Sequence, residues 1–308
     1  MPAENTKTIP HFDIQNDMCI FWNHGGKGYM AHFQTDTDLP DPRKEYDHLC
    51  TMACFHKKYG LGDELDGGVR CSEDFWSKLV RKEFSAKELY DRLIGQKNSL
   101  RFLERLADDD IDVRDIEEVV GEFYDAVEDG DIHFAMDVLD GRYAWLPIWL
   151  YDHSGLTISC GERTYPYNDQ WDSGLLGWCI VSKERAISEL KAGDGDWKEK
   201  ADAAIREEVR EYDQYLTGDI WWFEVKSCNG RYDAVEHVAG PRGEGSEESD
   251  WNEEDSCGGF CGSDLAENGM PDHIGDGFRE ALLSGDYETG EAIPENITIW
   301  KYWRSQKP

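Results

Sequence analysis

Apolar positions along this chain follow two periods. Short apolar runs stand near both ends, and 3.6-residue spacing fills the middle. Met18–Trp22 and Tyr29–Gln34 predict two short strands around the turn His24-Gly25-Gly26-Lys27-Gly28. Residues 36–47 are rich in Asp and Pro and predict an irregular segment. From Ser72 to Asp140 the spacing is helical. Ser72 is placed to N-cap a helix containing Phe75, Trp76, Leu79 and Val80, and Ser85 with Glu88 makes a capping box for the next one. Ile116, Val119, Val120, Phe123 and Val127 recur at helical spacing, so 112–128 predicts an amphipathic helix with its carboxylates outward.

Beyond the helical block, Trp145–Tyr151 is wholly apolar and predicts a buried strand. Asp152-His153-Ser154-Gly155 then turns the chain into Leu156–Cys160, completing a hairpin. Leu175–Ser182 is a further strand. Trp197, Ala201, Ile205, Val209, Tyr212 and Leu216 share one face of a long helix, with Gly218 at the C-cap position. Ile220–Ser227, Tyr232–Val238 and Ile297–Trp303 complete the strands. Helices gathered in the middle and strands paired with near neighbours predict an α+β fold, mostly antiparallel, with a long packing helix and a helical, acidic insert. The expected division is a β-rich segment 1–71, an acidic helical subdomain 72–140 and an α+β core domain 141–308.

Composition adds the dominant peculiarity. The 308 residues include 32 Lys and Arg against 65 Asp and Glu, a formal charge of −33. Residues 1–150 carry 17 basic and 31 acidic side chains, and 151–308 carry 15 and 34, so the excess is not an acidic tail. With 12 Trp, 14 Tyr and 12 Phe the chain has aromatic mass for a real core. Such charge disfavours direct binding of nucleic acid or an anionic membrane. The absence of a long apolar run or an apolar leader points to a cytoplasmic location in the host cell. Three readings of the acidity stay open: adaptation to a salty cytoplasm, imitation of nucleic acid toward a basic groove, or plain solubility. The densest patch, 104–131, holds thirteen acids opposed by Arg105 and Arg114. Asp108, Asp109, Asp110, Asp115, Glu118 and Glu122 are its candidate partner-binding residues. A second run, Glu244 to Asp255, reads as a mobile loop.

Candidate chemistry is sparser. Nine cysteines without an apolar leader read as reduced thiols, with Cys160 and Cys179 as core residues inside apolar strands. Cys54 and His56, with Cys257 and Cys261, supply ligand types for one tetrahedral zinc, although C-x3-C is a weak pattern. No other cofactor is expected. A thiol enzyme would pair Cys54 or Cys257 with His56 or His153. Asp152-His153-Ser154 and Trp171-Asp172-Ser173-Gly174 contain the residue types of hydrolase sites, yet both are good turn chemistry and neither is a G-x-S-x-G elbow. The Gly25-Gly26 cluster has no phosphate-loop pattern.

Several long motifs occur in order: Leu146-Pro147-Ile148-Trp149-Leu150-Tyr151-Asp152-His153-Ser154-Gly155, Trp171-Asp172-Ser173-Gly174, Tyr212-Asp213-Gln214-Tyr215-Leu216-Thr217-Gly218-Asp219, and Asp255-Ser256-Cys257-Gly258-Gly259-Phe260-Cys261-Gly262. Pro42-Arg43, Cys54-Phe55-His56, Tyr59 and Leu61-Gly62-Asp63-Glu64 precede them. Together they resemble a family of small proteins carried by phages, prophages and conjugative elements. The acidic insert 72–140, His48, Cys50, Gly258 and Cys261 depart from that pattern. The resemblance implies a mobile-element context in which accessory proteins counter host defence, as antirestriction and anti-Gabija inhibitors do. The expected function is therefore a protein that binds and inhibits a host nucleic-acid-targeting defence complex. Its partner would be a nuclease or other DNA-binding protein, blocked by the acidic surface. Asp152, His153, Trp171 and Asp172 form a second candidate partner surface, because loops on a rigid sheet commonly carry function. The alternatives are a Cys/His-site enzyme with a salt-adapted surface, and a scaffold; a homo-oligomer is expected.

Overall fold

The computed structural model describes residues 8–95, 100–161, 171–229, 251–275 and 277–291. Among them the order is β1 (Met18–His24), β2 (Lys27–Thr35), α1 (Pro42–Glu45), β3 (Thr51–Cys54), α2 (Ser72–Glu83), α3 (Ala86–Gly95), α4 (Leu100–Asp108), α5 (Ile116–Glu128), α6 (His133–Leu139), β4 (Tyr143–Asp152), β5 (Leu156–Cys160), β6 (Ser173–Ser182), α7 (Lys183–Leu190), α8 (Trp197–Thr217), β7 (Ile220–Asn229), β8 (Trp251–Cys261), α9 (Phe278–Ser284) and β9 (Tyr287–Glu291). The fold is α+β, with two antiparallel sheets in the orders β8-β7-β2-β1-β9 and β3-β6-β4-β5. The chain groups into two compact units, one of Pro40–Asp213 and one of Met1–Leu39 with Gln214–Pro308. These boundaries differ from the three-part division read from the pattern of predicted elements. No described helix is long and apolar enough to cross a membrane.

In the unit Pro40–Asp213, α2 to α6 do not build a core of their own. Phe75, Trp76, Phe102, Leu106, Val119, Phe123 and Val127 share one apolar cluster with Ala53, Tyr143 and Ile180 of the four-stranded sheet. Trp76 meets Trp145 and Trp178 edge-on at 5.5 and 5.6 Å, a geometry that adds about 0.5–1.5 kcal/mol beyond area burial. The Ser85–Glu88 capping box forms as expected, with the Ser85 N–H donating to Glu88 Oε2 at 2.9 Å. Two expectations need correction. Cys71, not Ser72, occupies the N-cap of α2, and Ser72 Oγ instead accepts from Trp178 Nε1 at 3.0 Å. The acidic helix starts at Ile116, not 112. Asp115 caps it, and Ile116 lies outside the buried stripe.

A buried ionic cluster holds the edge of this unit. The Arg43 side chain is 1% exposed. Its Nε and NH2 donate to Asp63 at 2.7 and 2.9 Å, NH1 donates to Glu208 at 2.8 Å, and NH2 also donates to the Cys50 carbonyl at 2.8 Å. The carboxylates' other valences are filled by backbone: Met52 N–H donates to Asp63, and Leu49 and Cys50 N–H donate to Glu208. Segments flanking β3 are thereby fixed to α8. Two glycines permit the close approach. A Cβ on Gly62, whose φ is +73°, would lie 2.5 Å from the Met52 carbonyl oxygen, and one on Gly177 would lie 1.9 Å from that of Ala53.

In the other unit β1 and β2 pair through the tight turn at Gly25-Gly26. One sheet face, with Ile20, Trp22, Ala31, Phe33, Phe223 and Val225, packs on Met270, Ile274, Phe278 and Leu282. Gly218 follows α8 with a φ of 76°, as its C-cap position predicts. Part of the run expected as a mobile loop, 251–255, is strand β8, while 244–250 lie outside the described residues. The strands expected at Tyr232–Val238 and Ile297–Trp303 also lie outside them.

Arg43→Met would leave two half-buried carboxylates without their counter-charge. The expected loss is about 3–5 kcal/mol of unfolding free energy, read by urea denaturation. Lys87→Met, which breaks the exposed Lys87–Asp91 pair, is expected to leave the urea midpoint nearly unchanged.

Candidate functional site

The acidic patch is assembled on the outer side of α4 and α5, whose apolar stripes are consumed by the core. The six candidate carboxylates have different duties. The Asp115 side chain accepts from the Glu117 and Glu118 N–H groups at 2.9 and 3.2 Å, satisfying donors of the first turn. Glu122 is half-buried and holds Arg105 at 2.6 Å. Asp109, Asp129 and Asp131 surround the same guanidinium at 3.9, 3.6 and 3.7 Å. Asp108, Asp110 and Glu118 are exposed and make no ion pair among the described residues, and the same holds for Glu104, Glu117, Asp125 and Glu128. The patch therefore has a structural part organised by Arg105 and a surplus of seven outward charges. Sequence counting ranks these alike, because it does not reveal which carboxylates Arg105 reaches across from α4.

The second candidate surface also forms. At the tip of the β4–β5 hairpin the Asp152 N–H donates to the Asp172 carbonyl at 2.6 Å, and His153 Nδ1 lies 2.7 Å from Asp172 Oδ2. The ring of Tyr151 stacks on His153 at 5.8 Å. Trp171, next to this pair, is 94% exposed. The segment after β3 joins the group. Tyr59 Oη donates to Asp152 at 3.1 Å, and its ring stacks on His56 at 4.9 Å with the Lys58 ammonium 4.6 Å from the Tyr59 centroid. Asp152, His153 and Asp172, all candidates, are brought together, and Tyr59 is the contributor that their spacing did not indicate. A carboxylate on Nδ1 orients the imidazole and leaves Nε2 for a ligand or proton. Among the described residues no Ser, Thr or Cys side chain hydrogen-bonds to His153.

The four residues expected as zinc ligands are divided between the two units. Cys54 and His56 belong to the unit Pro40–Asp213, and Cys257 and Cys261 to the other. On β8, Cys257 pairs with Phe223 and Cys261 with Ile220. His56 Nδ1 accepts the N–H groups of Lys58 and Tyr59 at 3.3 and 3.2 Å, which sets its proton on Nε2. Burial, reinforced by Asp63, pushes the Cys54 thiol up to about 12, so it stays protonated near neutrality. Among the described residues a different group, His11, Asp264 and Glu267, brings ligand-type atoms together. Asp264 there already accepts the Phe12 and Ala266 N–H groups at 3.0 and 2.9 Å, which gives it a structural duty. Cys179 is buried as expected, whereas Cys160 is only half-buried.

A scan against protein-family models finds no match, and comparisons with curated proteins and with solved structures find none either.

Two measurements check this assignment. Asp115→Ala is expected to cost about 1 kcal/mol through the lost cap, while Glu118→Ala leaves thermal unfolding nearly unchanged. In native alkylation at pH 8, exposed Cys257 is expected to react first, and buried Cys19, Cys50, Cys179 and Cys228 only on unfolding; Cys54 modified ahead of Cys257 would revive a thiol chemistry.

Proposed function

We propose that this chain is a viral or mobile-element protein that binds and inhibits a host nucleic-acid-targeting defence complex. The single observation supporting this reading is the surplus of outward carboxylates on α4 and α5, left over after capping and Arg105 have taken their share. Such a surface, held on a packed helical scaffold, matches the demand of a basic DNA-binding groove for a fixed array of negative charge. The inhibitor would block the groove sterically and electrostatically. Its attraction weakens as salt shortens the Debye length below about 8 Å. The hairpin tip with Asp152, His153, Trp171 and Asp172 supplies a second contact region, where the exposed indole of Trp171 is a natural anchor. A homo-oligomer remains part of this proposal.

The enzyme alternative has less support. It needs a thiol activated by an imidazole, yet Cys54 is held protonated and His56 Nδ1 accepts backbone N–H groups. Salt adaptation would use the same surplus carboxylates. It predicts a different behaviour, namely a melting temperature that collapses below molar salt.

The test uses the full chain with Asp108→Asn, Asp110→Asn, Glu118→Gln and Asp125→Asn, leaving the structural Asp115 and Glu122 in place. Capture of a nuclease or other DNA-binding complex from nuclease-treated host lysate is expected for the parent and at least about tenfold weaker for the variant. Relief of the captured enzyme's DNA binding should follow the same order. Equal capture by both proteins would remove the charge-imitation mechanism, and light scattering on the same samples reads the oligomeric state.

A further inference from the structure

The unit Pro40–Asp213 also contains a groove of about 840 Å³, bounded by the segment after β3, the approach to α2 and the start of β6. That volume falls within the ~300–1,000 Å³ of small-molecule sites. Two features of its walls bear on binding. The first is apolar exposure. Phe55 is half-buried there, and Leu175 is 44% exposed, one of few large apolar side chains so exposed among the described residues. The second is charge. Lys57 and Arg70 line the groove, and neither side chain makes an ion pair with a described residue, in a chain with twice as many acids as bases. Asp63, on the same wall, is matched by Arg43 at 2.7 Å, so it does not cancel them. Two glutamates also line the groove, which leaves it close to neutral in a protein of charge −33.

We propose that this groove binds a planar organic anion of mononucleotide size, its ring laid on Phe55 and Leu175 and its anionic group held by Lys57 and Arg70. Two cations that make no ion pair with a described residue, beside an apolar floor, complement a ligand that is flat at one end and negative at the other. The Arg fork suits a phosphate or carboxylate bidentately, and Lys adds a mobile point charge. Binding would cover the exposed Leu175 side chain, a favourable removal of apolar surface from water. The site lies outside α4 and α5, so it does not depend on the inhibitor reading.

Calorimetric titration of the full chain with adenosine monophosphate tests the proposal, with adenosine and inorganic phosphate as the separated halves. Saturable binding below about 1 mM is expected for the monophosphate, and at least about tenfold weaker binding for either half. The double variant Lys57→Glu with Arg70→Glu, and separately Leu175→Asp, should each weaken the monophosphate by about tenfold or more. These side chains sit at the cavity wall, and circular dichroism verifies that the variants fold. The four-site acidic-face variant should bind the monophosphate like the parent. Three results would overturn the proposal: no binding of the monophosphate at about 1 mM, equal binding by the charge-reversed variant, or adenosine binding as tightly as its monophosphate. Leu175→Asp binding unchanged would overturn the placement of the ring.

Discussion

Arg43 is removed from water almost entirely, and a guanidinium in that position is tolerable only with its charge matched and its donors filled. Asp63 and Glu208 do the matching, and each carboxylate also takes backbone N–H groups from the chain around β3. A single side chain thus ties together the helical turn that carries it, both flanks of an edge strand, the loop beyond that strand and α8. The groove wall and the Tyr59–His56 stack belong to that same loop region. Their shape follows from a cluster whose members must all be present, since losing one leaves the others with an unmatched charge.

The acidity divides by geometry more than by number. Some carboxylates are internal partners, as Asp63 and Glu208 are for Arg43 and as Asp213 is for Thr157 and the Ile158 N–H. Others satisfy helix starts, as Asp41 and Asp115 do. The remainder face outward, and on α4 and α5 they stand on helices whose opposite faces are buried in a shared aromatic and aliphatic core. That packing converts a count of charges into a surface of fixed form. The proposed inhibitor role draws on the outward remainder alone, and the proposed anion groove draws on Lys57 and Arg70, which make no ion pair with a described residue.

The helical elements were legible at the level of faces. Of the predicted inward stripes, Val119, Phe123, Val127, Trp197, Ala201, Ile205, Val209 and Tyr212 are buried, Val120 and Leu216 are half-buried, and Ile116 is exposed. The hairpin around Asp152–Gly155 was legible from turn chemistry. Cap positions were less so: Ser72 is a good cap residue by type, but its hydroxyl is engaged by Trp178 from β6. The residues picked for zinc fall in two different units, a division that residue type and spacing along the chain do not reveal.

By itself, the sequence determined which residues share a face, where turns fall, and that the surface would be strongly negative. Covalent spacing dictates these, because residues three or four apart on a helix and two apart on a strand are neighbours whatever else folds. Only the tertiary structure decided that Arg43 meets carboxylates 20 and 165 positions away. It likewise decided that His153 meets Asp172 and that Tyr59 reaches Asp152. Pairings of that range depend on how sheets register and helices pack, and a carboxylate's chemistry is the same whether it caps a helix, neutralises a buried guanidinium or faces water.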